Sequence, residues 1–223
     1  MPDRTAGCAA GIALSLLLSV VPGSGCGLFS KSPDSASSDA DSDQASPEST
    51  TDLGLLEIRR QPPDAAAVNP FQQAPNSPVV LMFIRQDCPI SNRYAPEFGR
   101  ILDRFQAAGV RFWVVYPDPG LAVDEIRSHL RDYDYRCDAL WDSEHRLVNL
   151  AGATVTPEVA VYDSAHRLVY RGRIDDRFVD FGKARPEPSQ RDLHEVLESV
   201  LSGSAGPLRT TTAIGCPISD LKH

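Results

Sequence analysis

The chain lacks any apolar run of the roughly 18 residues that a membrane-spanning helix needs; its longest mostly apolar stretch, Ala9–Val21, has 13. It also lacks a surplus of basic residues, since 22 Lys and Arg stand against 30 Asp and Glu, a formal charge of −8. Phosphate binding needs a positive surface, so nucleic acid is not an expected partner. Five cysteines in 223 residues are too few for a disulfide scaffold. The composition, 42% hydrophobic and 23% charged, is typical of a globular protein.

Residues 1–26 have the pattern of an export signal. Arg4 supplies positive charge, and Ala9–Val21 has the length of a signal h-region. Small residues then end at Cys26, which resembles a bacterial lipoprotein cleavage box with Gly23 where Leu is usual. We expect a signal peptide with a lipoprotein cleavage site, a lipid on Cys26, and an exported protein at the cell envelope whose only membrane contact is that anchor. The alternative is an ordinary signal peptide with an incidental cysteine.

The next segment is a low-complexity linker. Ser30–Asp52 contains eight Ser and six acidic residues but one Lys, and it has almost nothing to bury. Such a composition predicts disorder. We therefore assign residues 27–65 to a disordered linker, residues 66–205 to a folded domain, and residues 206–223 to a C-terminal tail that carries the chain's second Cys-Pro-Ile-Ser.

The domain alternates strand and helix patterns, which predicts an α/β fold with a mixed central sheet and helices on both faces. Continuous apolar runs indicate buried strands, and apolar residues three and four apart indicate helix faces. Ser189 is expected to cap the last helix. The predicted strands are Val79–Ile84, Val110–Tyr116, Ala139–Trp141, Val159–Tyr162 and Leu168–Gly172, and the predicted helices are 92–108, Ala122–Arg131, Glu144–Leu150 and Ser189–Leu201.

Cys88 is the candidate nucleophile because it stands between a buried strand and a helix. Unpaired backbone N–H groups and the helix dipole at such a position favour thiolate over thiol. Pro89 is tolerated in a first helical turn. Asp87 opposes the effect, because a neighbouring carboxylate disfavours a second negative charge, and Arg85 can offset it.

Several segments together resemble thioredoxin-like redoxins of the alkyl hydroperoxide reductase/thiol-specific antioxidant superfamily. They are Phe83–Ser91 with Pro96-Glu97, Thr156–Asp163, and Arg171–Asp176. The resemblance implies a thioredoxin-like fold, a nucleophilic Cys88, and thiol–disulfide exchange without a cofactor or metal. It also implies a cis bond before Pro157, with the backbone of Thr156 free to pair with an extended substrate peptide.

The family's C-x-x-C motif is incomplete, because its second cysteine is Ser91 in this chain. Ser91 can donate a hydrogen bond to the Cys88 thiolate, but it cannot resolve a mixed disulfide. Cys216, preceded by Gly215 in the tail, is the candidate resolving cysteine. A disordered tail with an incidental thiol is the alternative. Cys137 is interpreted as a buried apolar residue.

Other functions remain open. A peroxiredoxin has Thr or Ser three residues before its reactive cysteine, where this chain has Arg85, so reduction of hydroperoxides is disfavoured. A Sco-type copper chaperone needs two thiols at the turn and a later histidine. His129 and His194 are expected on helix surfaces, and no spacing of Cys and His matches a zinc site. A non-catalytic binding module with the same fold is a further alternative.

The sequence thus predicts a thiol–disulfide oxidoreductase that acts outside the cytoplasm on protein or small-molecule thiols and disulfides. In this prediction Cys88 attacks, Cys216 resolves, Ser91 assists, and Thr156 and Pro157 contact the substrate.

Overall fold

The computed structural model describes residues 55–58 and 65–219. Twelve strands and four helices occur in these ranges. The strands are β1 (Leu55–Ile58), β2 (Ala65–Val68), β3 (Val79–Phe83), β4 (Arg111–Tyr116), β5 (Ala139–Trp141), β6 (Val155–Thr156), β7 (Glu158–Tyr162), β8 (Leu168–Gly172), β9 (Phe178–Asp180), β10 (Lys183–Ala184), β11 (Arg209–Thr210) and β12 (Cys216–Pro217). The helices are α1 (Pro89–Gln106), α2 (Val123–Asp132), α3 (Arg146–Ala151) and α4 (Asp192–Leu201).

One mixed sheet of eight strands organises the domain, in the order β11-β8-β7-β3-β4-β5-β1-β2. β3, β4 and β5 run parallel, as strands joined by crossover helices do. β7 and β8 form an antiparallel hairpin beside β3. β3 is therefore central and all five of its residues are buried, which explains its continuous apolar sequence.

Apolar side chains cover both faces of the sheet. Alternate residues of β3 point to opposite faces, so Val80 and Met82 join a cluster with α1, α2 and α4. Val79, Leu81 and Phe83 join a second cluster with α3 and the segment around Phe71. The predicted fold class is confirmed, and all four predicted helices and five predicted strands are present with small shifts at their ends. Among the described residues, no helix is long and apolar enough to cross a membrane.

Two predictions about element ends are wrong. β1 lies within residues 27–65, which were assigned to the linker, and it pairs with β5, so Leu55–Ile58 belong to the sheet. Ser189 does not cap α4, whose N-cap is Arg191. Instead its hydroxyl donates to Asp176. Both errors have the same cause, because β5 and Asp176, the partners of β1 and Ser189, are not their neighbours in the sequence. The rest of the assigned linker and the signal peptide lie outside the described residues.

The C-terminal tail is part of the fold. β11 pairs in parallel with β8 at the edge of the main sheet. Further along the tail, β12 pairs with β6 in a separate two-stranded sheet. The tail between them passes Gly172 so closely that a Cβ atom there would overlap the backbone and side chain of Thr211. The alternative of a disordered tail is therefore excluded for the described residues, which reach position 219.

Candidate functional site

Cys88 lies where the turn after β3 enters α1. It is the N-cap residue of α1, with extended backbone angles and no side-chain capping bond, and Pro89 follows in the first helical turn. Its exposed fraction is 0%. In its thiol form the Sγ atom donates a hydrogen bond to Thr156 O at 3.0 Å. The sulfur thus bridges the start of α1 and the loop before β7.

That loop has the geometry which the resemblance implies. The Thr156–Pro157 peptide bond is cis. Thr156 ends β6 and is fully buried. Glu158, the next residue after the proline, stabilises the loop. Its carboxylate accepts a hydrogen bond from Thr154 N at 2.8 Å and lies 3.6 Å from the Arg171 guanidinium.

The chain's own tail pairs with Thr156. β12 is antiparallel to β6, with Cys216 opposite Thr156 and Pro217 opposite Val155. Thr156 Oγ1 donates to Cys216 O at 3.3 Å, and Ile218 N donates to Thr154 O at 3.0 Å. The expectation that the Thr156 backbone is free for a substrate peptide is therefore wrong in this conformation. Thr156 and Pro157 as substrate contacts remain a prediction.

Gly215 makes this close approach possible. A Cβ atom at this position would overlap the carbonyl of Thr156 and touch Pro157 N. Only a residue without a side chain lets the two backbones come this near. The Gly-Cys pair in the tail is therefore explained by its docking on the loop before β7.

The two cysteines of the site influence each other's ionisation. Burial raises the pKa of the Cys88 thiol, but hydrogen bonds with the Cys216 and Ser91 side chains and backbones favour the thiolate, and the net pKa lies below its ordinary value. Burial, the hydrogen bond to Cys88 and the charge of Cys88 raise the pKa of Cys216 to about 11. The pair therefore favours one thiolate, on Cys88, beside one thiol, on Cys216.

Ser91 occupies the position of the missing second cysteine. It is fully buried, and its hydroxyl has no hydrogen-bond partner among the described residues while Cys88 is a thiol, so the bond to Cys88 belongs to the thiolate form. Its side chain and backbone favour the Cys88 thiolate, and the assisting role of Ser91 remains a prediction. A buried hydroxyl without a hydrogen bond destabilises the fold. Deprotonation of Cys88 supplies the missing acceptor, because the thiolate can accept a hydrogen bond from this hydroxyl.

Arg85 offsets the charge of Asp87, as expected from the sequence. Its Nη2 atom lies 3.0 Å from an Asp87 carboxylate oxygen and 3.8 Å from one of Asp118. Its Nη1 atom donates to Pro217 O at 3.5 Å. The same guanidinium therefore links the turn before Cys88 to the tail after Cys216.

His129 was expected on a helix surface, and this prediction is wrong: only 6% of it is exposed. Its Nε2 atom lies 2.9 Å from Asn92 Oδ1, and its Nδ1 atom lies 2.7 Å from the hydroxyl of Tyr116. Asn92 Nδ2 donates to Gln86 O at 2.9 Å, which fixes the amide orientation. Nε2 therefore donates and Nδ1 accepts.

The sequence contains a signal for the burial of His129, but not for its hydrogen-bonding partners. His129 follows Ile126 by three residues, which places both on the same face of α2. Its hydrogen bonds join α2 to β4 and α1, and Asn92 extends the network to the turn that precedes Cys88. His129 is thus a positioning residue. His194, also expected on the surface, is half-buried against Phe105.

Cys137 is buried, as predicted, and burial raises its pKa to about 12. It is not among the hydrogen-bonding partners of Cys88 in the described part of the chain. Within that part, no group of three or more His, Cys, Asp or Glu residues could hold a metal ion. Cys26, the predicted lipidation site, lies outside the described residues.

Comparisons with known proteins agree with this fold. The AhpC/TSA family model matches residues 64–172. An uncharacterized conserved protein from Geobacillus kaustophilus has a TM-score of 0.62 at 20% identity, over 76% of this chain and 89% of that one. A hypothetical protein from Sinorhizobium meliloti 1021 has a TM-score of 0.60 at 20% identity, over 73% and 88%. These two likenesses show the fold. No curated protein sequence matches the chain.

Proposed function

We propose that this chain, whose residues 64–172 match the AhpC/TSA family model, is a thioredoxin-like redoxin that catalyses thiol–disulfide exchange through a pair formed by Cys88 and Cys216. One observation carries the proposal: Cys88 Sγ donates to the Thr156 carbonyl at 3.0 Å, and Cys216 is the residue opposite Thr156 in the β6–β12 ladder, so both cysteines lie against one residue. The tail thus supplies the second thiol that the turn lacks, because Ser91 stands where the family's second cysteine is expected.

The chemistry cycles the pair between two states. In the reduced state both sulfurs are unpaired, and Cys88 loses its proton more readily than Cys216 does. In the oxidised state the two sulfurs share a disulfide bond, and two electrons have passed to a partner disulfide, which leaves as two thiols. The low pKa of Cys88 supports this cycle, because a sulfur that is stable as a thiolate both attacks and leaves readily.

The partners follow from this chemistry. They are proteins or small molecules that carry thiols or disulfides, and their location is outside the cytoplasm. The export pattern of residues 1–26 supports this location, and Cys26 is the proposed lipid anchor. A protein held at the envelope surface in this way would meet partners that are themselves exported or attached to the membrane.

Disulfide mapping tests the proposal directly. Trypsin separates the three cysteines of the domain, because Gln86–Arg93, Cys137–Arg146 and Thr210–Lys222 are different tryptic peptides. After equilibration of the chain in an oxidising glutathione buffer, we expect the first and third peptides to be linked. Cys137→Ser should leave the link intact, and Cys216→Ser should abolish it. Free Cys88 and Cys216 under conditions that oxidise a model dithiol would overturn the proposal.

A thiol-transfer assay completes the test. Reduced protein should reduce a disulfide-bonded substrate such as insulin with one equivalent of disulfide per chain. Cys88→Ser should remove this activity, and Cys137→Ser should retain it. Full activity of Cys88→Ser would show that Cys88 is not the reacting sulfur, and no activity of the parent protein would identify the domain as a binding module rather than a redox enzyme.

A further inference from the structure

Given the disulfide pair proposed above, we infer that partner thiols attack that disulfide at Cys216, and that Cys88 is the sulfur released. This order is the reverse of the one that the sequence suggests, in which Cys88 contacts the partner and Cys216 acts internally. The tail cysteine is then the catalytic residue that carries the mixed disulfide with the partner.

Access to the two sulfurs differs. Cys88 has no exposed surface, whereas Cys216 is partly exposed and is followed by the exposed Pro217. Exchange requires the attacking thiolate to approach along the extension of the S–S bond, on the far side of the attacked sulfur, so access decides which sulfur reacts. The far side of Cys88 is protein, since this residue begins α1 and packs in the core cluster.

The tail is bound to the rest of the domain on both sides of Cys216. On the C-terminal side, Ile218 is 5% exposed and its N–H donates to Thr154 O. On the N-terminal side, Thr211 Oγ1 lies 2.6 Å from the Tyr170 hydroxyl and accepts from Arg173 N at 3.1 Å.

A third fastening lies further from the cysteine. The guanidinium of Arg209 pairs with the buried carboxylate of Asp192 and lies 3.4 Å from a carboxylate oxygen of Glu195. Lifting β12 from Cys88 would break several of these contacts at once. The docked tail therefore keeps Cys88 covered while a partner engages Cys216.

The electrons balance in this order. A partner thiolate forms a bond to Cys216 Sγ, the Cys88–Cys216 bond breaks, and its electron pair stays on Cys88 as a thiolate. Hydrogen bonds from Ser91 and the start of α1 stabilise that charge, which suits a leaving group. A second partner thiolate then attacks the partner sulfur of the mixed disulfide. It releases the oxidised partner and leaves Cys216 as a thiol after it takes up a proton.

The test maps the mixed disulfide on the full chain. Oxidised protein is mixed with cysteamine, quenched with acid at early times, alkylated with N-ethylmaleimide and digested with trypsin. We expect at least about tenfold more cysteamine on the peptide Thr210–Lys222 than on Gln86–Arg93, because access selects the attacked sulfur. N-ethylmaleimide should appear on the Cys88 peptide. Cysteamine on the Cys88 peptide would overturn the inference.

Matched glycine variants test the role of the docked tail. Gly215→Ala places a methyl group against the Thr156 carbonyl and should lift β12, so cysteamine should shift towards Cys88. Gly206→Ala, also in the tail, meets nothing within 4 Å and should leave the distribution unchanged. If Gly215→Ala unfolds the domain, alkylation of Cys88 in Cys216→Ser by a maleimide carrying a long polymer replaces it. This alkylation should be far slower than alkylation by N-ethylmaleimide, and equal rates would overturn the inference.

The two proposals fail in different ways. If no Cys88–Cys216 disulfide forms on oxidation, the proposed function fails. If that disulfide forms and cysteamine is found on Cys88, only the order of exchange is wrong.

Discussion

Thr156 joins both cysteines of the site: its carbonyl accepts the Cys88 thiol at 3.0 Å, and its backbone pairs with Cys216 across the β6–β12 ladder. One buried residue thus places two sulfurs that are 128 positions apart in the sequence (216 − 88). The candidate site is therefore assembled from a local turn and a distant tail.

Cys88 should be alkylated faster than Cys137 by iodoacetamide at pH 7. The pKa of Cys137 is about 12, whereas that of Cys88 lies below its ordinary value of 9.0, so their thiolate fractions differ by at least three powers of ten. The weaker nucleophilicity of the more acidic thiolate offsets about half of this difference. Both thiols are buried, so access favours neither strongly, and we expect Cys88 to be labelled faster because of its larger thiolate fraction. Timed labelling with peptide mapping measures it. Equal rates in the folded protein would remove the case for an activated Cys88.

Ser91→Ala should raise the pKa of Cys88, because it removes a hydrogen bond that favours the thiolate. At a fixed pH below that pKa, less thiolate is present, so alkylation of Cys88 should slow, and the midpoint of its pH profile should move to higher pH. Cys216→Ala should shift the profile in the same direction for the same reason. Ser199→Ala on α4, whose hydroxyl donates to its own helix, is the control. An unshifted profile in Ser91→Ala would show that this hydroxyl does not stabilise the charge.

Protonation of His129 should destabilise the domain in mild acid. Burial lowers the pKa of His129 from 6.5 to about 4, against a smaller opposite effect of Asp132. The unfolded chain therefore takes up this proton first as the pH falls. The free energy of unfolding is therefore unaffected by this group above pH 6.5 and falls as the pH drops from 6.5 to 4. The total loss is about 3 kcal/mol.

Denaturant unfolding at several pH values measures this effect. His129→Gln should be less stable at neutral pH, because it disturbs the bonds to Tyr116 and Asn92, but it should lose less stability between pH 6.5 and 4 than the parent protein does. Parallel curves for the two proteins would contradict the assignment of the acid sensitivity to His129.

Gly172→Ala should destabilise the domain through the tail. Gly172 has a φ of 151°, which side chains rarely adopt, and an added Cβ would overlap Thr211. Overpacking of this kind costs about 1–3 kcal/mol, and the damage should include undocking of the tail. Thermal unfolding measures the loss, with Gly206→Ala as the control because its Cβ would enter open space. An unchanged unfolding temperature would show that the tail does not pack closely against Gly172 of β8.

The mature chain should begin at Cys26 with an attached lipid. Mass spectrometry of the N-terminal peptide and partition into detergent both report this state. Cys26→Ala should abolish the lipid and the partition, whereas Cys8→Ala, before the apolar stretch, should change neither. A mature protein with an unmodified N-terminus elsewhere would contradict this prediction.

Features that depend on neighbouring residues could be predicted from the sequence. The buried run of β3, the apolar face of α1 and the position of Cys88 between them follow from local periodicity, and the structure has all three. The cis bond before Pro157 followed from the family resemblance and is also present.

Features that depend on partners distant in sequence needed the fold. The burial of His129 follows from the packing of α2 against β4, and the true start of the sheet follows from the pairing of β1 with β5. The tail could be proposed as the source of a second thiol, but its strand pairing with Thr156 could not. A local pattern reports which face of a helix or strand is apolar. Only the tertiary structure decides which backbone segments pair, because that depends on residues far apart in the sequence. In this protein the pairing of the tail with β6 leaves Cys88 buried and Cys216 partly exposed.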